Sequence, residues 1–191
     1  MKKCMMVMVA LLYIFIGSAM LFAADTWTPK ADAGGIGKEG VKNLKEFVEQ
    51  GGTLITLGSS ADLVMEEFNV PVSNALARAG DGFECPGSSL RLQVDPSHPV
   101  GYGMPPSVPA FVNEPIAFQT AIPGAEMTRR VLAWYPDDTD GMVLSGWIKG
   151  AERLKRKAAA VALTYGKGKI VMFGFRVQHR AQTEGTFKLL F

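Results

Sequence analysis

Between Lys38 and Gln50 the apolar residues Val41, Leu44, Phe47 and Val48 recur at helical spacing, with lysines and glutamates on the other face. The pattern predicts an amphipathic helix stopped by Gly51-Gly52. The rhythm then changes. Thr53-Leu54-Ile55-Thr56-Leu57 is a short β-rich run, closed by Gly58-Ser59-Ser60 and followed by a second helical pattern through Leu63, Val64 and Phe68. Helix, glycine stop, strand, small-residue turn and helix make the alternation expected of an α/β protein with a parallel sheet.

The middle of the chain reads differently, because ten of the eleven prolines fall between Pro71 and Pro136. They punctuate three candidate strands, Leu90 to Val94, Ala110 to Phe118 and Val131 to Tyr135. Such density predicts edge strands and ordered loops. Regularity returns at the end, where Ala158 to Tyr165, the turn Gly166-Lys167-Gly168 and the apolar run to Phe175 predict a β-hairpin. A last helix is expected from near Thr183, carrying Phe187, Leu189 and Leu190, with no C-cap glycine before Phe191. No internal repeat or low-complexity segment interrupts this order.

Residues 1–23 stand apart. Lys2 and Lys3 precede an unbroken apolar run from Cys4 to Ile16, and small residues around Gly17-Ser18-Ala19 and Ala23-Ala24 offer cleavage sites. This is the order of a secretory signal peptide, and it predicts export to the periplasm or the extracellular space. The alternative is an uncleaved inner-membrane anchor formed by residues 4–22. Export leaves Cys85 as the single cysteine, so stability must come from packing. Residues 24–33 read as a linker.

The 191 residues, 48% hydrophobic with two cysteines, suit one globular domain and exclude a disulfide scaffold or a disordered tail. The net charge of +2 belongs to Lys2 and Lys3. What remains is neutral but divided: residues 149–191 hold ten basic and two acidic residues, against eight and sixteen in residues 24–148. Arg153, Lys155, Arg156 and Lys157 form the densest basic run. No aromatic residues interleave with it as a base-stacking platform needs, so nucleic acid is not an expected partner.

Candidate chemistry is sparse. A catalytic zinc site needs three side-chain ligands, and His98 and His179, the only histidines, belong to no closely spaced ligand pair. We expect no metal and no cofactor, and His98, in Asp95-Pro96-Ser97-His98-Pro99, reads as part of a proline-bounded turn. A sharper possibility is Leu57-Gly58-Ser59-Ser60-Ala61-Asp62, which has the strand-to-helix context of a nucleophile elbow with Ser60 in the nucleophile slot and Asp62 replacing the second glycine. His179 is the available base, with Asp95, Asp137 or Asp138 as orienters. The competing reading, which we favour, has Ser59 or Ser60 capping a helix start. Cys85 reads as buried or inert, since nothing beside it in the sequence lowers a thiol pKa.

Several segments taken together resemble a known domain. These are Gly34-Gly35-Ile36-Gly37-Lys38-Glu39-Gly40, Phe47 to Leu54, Ser97-His98-Pro99 with Tyr102-Gly103-Met104-Pro105, and Gly166 through Arg176 to His179-Arg180-Ala181-Gln182-Thr183 and Phe191. They resemble the class I glutamine amidotransferase-like accessory domain that follows the peptidase domain in certain secreted bacterial zinc carboxypeptidase-family proteins. The resemblance covers residues 34–191 and is most specific in the closing segment. It implies a flavodoxin-like, amidotransferase-like parallel sheet with helices on both faces, and a C-terminal β-hairpin and helix. The βα units such a fold would carry before Gly34 are absent here, so the sheet is expected to be truncated on its N-terminal side.

The resemblance also marks absences. Neither the His-x-x-Glu pair of the zinc peptidases nor the amidotransferase cysteine, histidine and glutamate are present, for Ser60 occupies the elbow and His179 is followed by Arg180 and Ala181. The expected protein is therefore an exported, non-catalytic binding or structural module. Its ligand site is expected at the C-terminal ends of the strands, where Ser59, Ser60, His179 and Arg180 converge. Its partner would be a peptidase domain or a small ligand in that crevice. The rivals are a serine hydrolase using Ser60 and His179, and a non-functional fragment of a split carboxypeptidase gene.

Overall fold

The computed structural model describes residues 36–191 except Ala125. The expected signal peptide or anchor, the linker and Gly34-Gly35 lie outside the described residues. The chain divides into two units, Met1–Gly40 and Val41–Phe191; of the first, only Ile36–Gly40 is described. No described helix is long and apolar enough to cross a membrane.

The first helical pattern forms α1, Gly37–Glu49, and the second forms α2, Ala61–Glu67. Between them β1 spans Thr53–Leu57, with the limits its sequence predicts. The other strands are β2 (Val72–Asn74), β3 (Ser88–Val94), β4 (Ser107–Val112), β5 (Phe118–Thr120), β6 (Arg129–Trp134), β7 (Val143–Ser145), β8 (Ala158–Tyr165) and β9 (Gly168–Phe173). They form one mixed sheet of order β1-β9-β8-β6-β3-β4, with β5 joining β2 and β8, and β7 beside β3.

Two expectations about this sheet are corrected. It is not a parallel sheet: β1 and β9 run parallel, with Thr53 opposite Lys169 and Leu57 opposite Phe173, and every other pairing is antiparallel. Parallel neighbours need a crossover, usually a helix. The proline-rich middle supplies short strands and turns instead. Nor do helices cover both faces, because Val48 of α1 and Ala61 and Val64 of α2 enter one core cluster with Val161, Leu163, Ile170 and Met172. The alternate residues Val171 and Phe173 face a second cluster with Leu90, Leu92, Val108 and Ala110, to which neither helix contributes. Strand periodicity separates the two clusters cleanly along β9.

The hairpin is present as expected. Tyr165 pairs with Gly168 across the two-residue loop Gly166-Lys167, and Gly166 at φ +57° supplies the positive φ such a loop favours at its first central position. Two local readings change. Ala110 to Phe118 is not one strand, for Asn113, Glu114 and Pro115 break it between β4 and β5, with Glu114 in the left-handed region at φ +48°. The last helix is a 3-10 segment, Glu184–Leu190, entered through left-handed Thr183 at φ +54°. The Thr186 hydroxyl donates to Val177 O at 2.6 Å, which holds that segment against the strand end it follows.

Candidate functional site

The C-terminal ends of β1 and β9 lie side by side because the two strands are parallel and paired to their last residues. After β1 the chain turns at Gly58, φ +57°, into the 3-10 turn Gly58–Ser60. A side chain at Gly58 would meet the Arg176 side chain, its Cβ about 3.5 Å from Arg176 Cγ. After β9, Gly174 donates its N–H to Ala159 O and accepts one from Ile116, each at 2.8 Å. Phe175 and Val177 are buried and Arg176 between them is exposed, so strand-like alternation carries Arg176 out over the β1 turn.

His179 follows and stacks on Phe111 of β4, with ring centroids 5.0 Å apart and planes 16° from parallel. The Phe111 N–H donates to the Thr183 hydroxyl at 3.2 Å, a second tie between the closing loop and β4. Asn113 and Glu114, just past β4, complete the enclosure, and Glu114 is held by its N–H to Cys85 O at 3.0 Å. The result is a small cleft of about 80 Å³ lined by Gly58, Ser59, Phe111, Asn113, Glu114, Arg176 and His179.

Ser59 and His179 thus line one cleft. Ser60 and Arg180 do not line it. The Ser60 hydroxyl accepts the Leu57 N–H at 2.8 Å and donates to Leu57 O at 3.0 Å. It therefore caps backward onto β1, not forward into α2, where no side-chain cap bond forms. Arg180 is exposed, in the left-handed region at φ +50°. None of the three aspartates considered as orienters reaches the cleft: Asp95 pairs with Arg130, Asp137 with Arg156, and Asp138 accepts the Asp140 N–H. The carboxylate that does line it is Glu114.

Arg176, Asn113 and Glu114 were not anticipated. Arg176 is legible in hindsight as the exposed member of an alternating run after β9. Asn113 and Glu114 carried no signal, since the sequence places them inside an apparent strand. Among the described residues Arg176 and Glu114 have no ion-pair partner, either in each other or elsewhere. The cleft can therefore offer a guanidinium, a carboxylate, an amide, a hydroxyl and an imidazole to a molecule of a few heavy atoms.

His98 is part of a turn, as its sequence context indicates: its Nδ1 accepts the Val100 N–H at 3.2 Å at the start of a 3-10 turn. Cys85 is buried, donates to Val112 O, and has its thiol pKa raised by that burial. No group of three or more His, Cys, Asp or Glu side chains able to hold a metal ion occurs among the described residues.

No family model matches this chain, and no curated protein matches it. Among solved structures it is similar to a cytoplasmic protein of Salmonella typhimurium LT2, at 16% identity and a TM-score of 0.46 over 77% of this chain and 54% of that one. It is also similar to a β-galactosidase from Bacillus circulans sp. alkalophilus, at 11% identity and TM-score 0.47, over 80% of this chain and 19% of that one. A protein described as ThuA-like from Bacteroides uniformis matches at 14% identity and TM-score 0.43, over 80% of this chain and 61% of the other. The chain thus spans about half the length of the Salmonella protein. Likenesses this distant assign no activity to it.

Proposed function

We propose that this chain is an exported, non-catalytic binding module of amidotransferase-like descent, related to the accessory region of zinc carboxypeptidase-family proteins, which takes a small carboxylate-bearing ligand in the cleft at the ends of β1 and β9. One observation carries the proposal: Ser59, Arg176 and His179 meet at that cleft while the hydroxyl best placed by sequence for attack, that of Ser60, is bonded to Leu57 as both donor and acceptor. A nucleophile needs a free hydroxyl beside a base. A binding site needs only convergent polar groups in a concavity. The parallel β1–β9 pair, with α1 and α2 on one face, is compatible with part of an amidotransferase-like sheet. Lys2-Lys3 and the apolar run Cys4 to Ile16 support export, and a peptidase domain is the macromolecular partner this reading implies.

The test has two arms. Titration with acetate, followed by NMR chemical shifts, is expected to perturb the residues around Gly58 and His179, and Arg176→Ala is expected to weaken binding about tenfold or more, the loss of a charge-assisted pair. A fluorophosphonate probe is expected to label wild type and Ser60→Ala alike, at background. Ser60-dependent labelling would establish the serine hydrolase instead. Acetate shifts that survive Arg176→Ala unchanged would remove the cleft as the site.

A further inference from the structure

The face of the sheet opposite α1 and α2 is built as two rows of side chains. Register puts Thr53, Lys169 and Thr164 side by side across β1, β9 and β8, and Thr128, just before β6, extends the row by donating its N–H to the Thr164 hydroxyl at 2.7 Å. The next row is Ile55, Val171 and Ala162, ending in Arg130 of β6. One row is therefore polar with a lysine in it, and its neighbour is apolar. Four strands at the usual spacing make this floor roughly 14 Å across. Leu189, Leu190 and Phe191 form one wall, His98 and Pro99 another, and the groove encloses about 440 Å³.

Of the cationic side chains lining this groove, one is left without an acidic partner among the described residues. Arg130 is spoken for, since its guanidinium lies 2.7 Å from the Asp95 carboxylate. Burial, then the Arg130 charge, lowers the His98 pKa below its ordinary value, which favours the neutral imidazole at pH 7, and Lys169 acts on it in the same direction. Lys169 is exposed and has no acidic partner among the described residues. Beside it Ile55 keeps 46% of its surface exposed, an apolar side chain that no described residue covers fully. A single free cation next to threonine hydroxyls suits one monoanionic head. The adjoining apolar row and the leucine wall suit a hydrocarbon body. A polyanion would find too little charge here, and a purely apolar ligand would leave the lysine unused.

We infer that this face is a second ligand site, separate from the cleft at the strand ends, for an amphiphilic carboxylate whose head meets Lys169, Thr53 and Thr164 and whose apolar chain lies over Ile55, Val171 and Ala162 toward Leu189. The amine of Lys169 and the hydroxyls recognise the carboxylate, and burial of the chain and of Ile55 supplies the hydrophobic part.

Octanoate, octanol and octylamine serve as probes in calorimetric titrations of the full chain in detergent-free buffer. Octanoate is expected to saturate one site, octanol to bind about tenfold more weakly, and octylamine not to bind. Lys169→Met should lower octanoate affinity about tenfold while leaving octanol unchanged, and Ile55→Asp should abolish both. Both positions are exposed, and unchanged thermal melting of the variants shows that folding is intact. Arg176→Ala, in the other cleft, should leave octanoate binding untouched, so the two sites fail or stand independently. Absence of saturable octanoate binding would overturn the inference, as would binding indifferent to both Lys169→Met and Ile55→Asp. So would a wild-type dimer that Ile55→Asp dissociates and that octanoate does not occupy, because the face would then be an interface between copies.

Discussion

Tyr135 is fully buried among apolar residues and its hydroxyl finds no partner among the described residues. Burial drives its pKa well above the ordinary phenol value, with the nearby Cys85 adding to the rise, so it stays neutral across the working range. A buried hydroxyl without a bond loses hydration and gains nothing in return. Tyr135→Phe removes the group and keeps the ring. It is expected to stabilise the fold by about 1 kcal/mol, read as a higher urea midpoint at unchanged slope. Ser60 is the opposite case. Its hydroxyl is used twice by Leu57, and the sequence could announce a serine at a turn but not which way it would bond.

At the level of elements, α1, β1, α2 and the β8–β9 hairpin were legible because each is written locally: a helical stripe, a β-branched run, a glycine where φ must be positive. Ala110 to Phe118 misled because its apolar residues continue through the break, and only the left-handed Glu114 and the fixed φ of Pro115 divide β4 from β5. The parallel reading failed for a different reason. Strand direction depends on which distant strands meet, and a helix–strand–helix opening says nothing about what the proline-rich middle will insert. The same limit hid Glu114 and Asn113 from the cleft, while Ser59 and His179 stood out by their motifs.

Gly174 shows how closely these elements approach. A Cβ there would come within 1.9 Å of Ile116 O, a backbone atom that cannot swing aside. Gly174→Ala is expected to cost about 2–3 kcal/mol, as overpacking does, and to disturb the cleft, since Arg176 and His179 follow directly. Chemical denaturation gives the first effect and loss of the acetate shifts the second.

For the molecule as a whole, the opposed acidic and basic parts of the sequence meet, among the described residues, in one ion pair, Arg156 with Asp137, and the other pairs, Asp95 with Arg130 among them, lie within the acidic part. The Asp95 carboxylate accepts from the Ser97 hydroxyl, from Arg130 and from the Ser97 N–H, and these hold its pKa at about 2, below its ordinary value of 3.8. A carboxylate with a lower pKa in the folded state stabilises the fold fully above its unfolded pKa, and that contribution disappears as pH falls through the folded one. Stability is therefore expected to decline from pH 4 toward pH 2, and Asp95→Asn to flatten that part of the curve. Urea midpoints measured at half-unit pH steps check it.

The parallel pair has one more consequence, and it concerns time. β1 lies early in the chain, yet its partner β9 is the last of the described strands, and Ile170 and Met172 of β9 share the core cluster into which α1 and α2 pack. Until that hairpin exists, the helical opening lacks part of its floor. Contacts between such distant segments pay their loop-closure entropy before any reward arrives, so they form late and slowly. The order of assembly is thus expected to run against the order of synthesis, with the β8–β9 hairpin formed first and β1 docking upon it. A chain built this way is expected to stay open along β1 until β9 has been made.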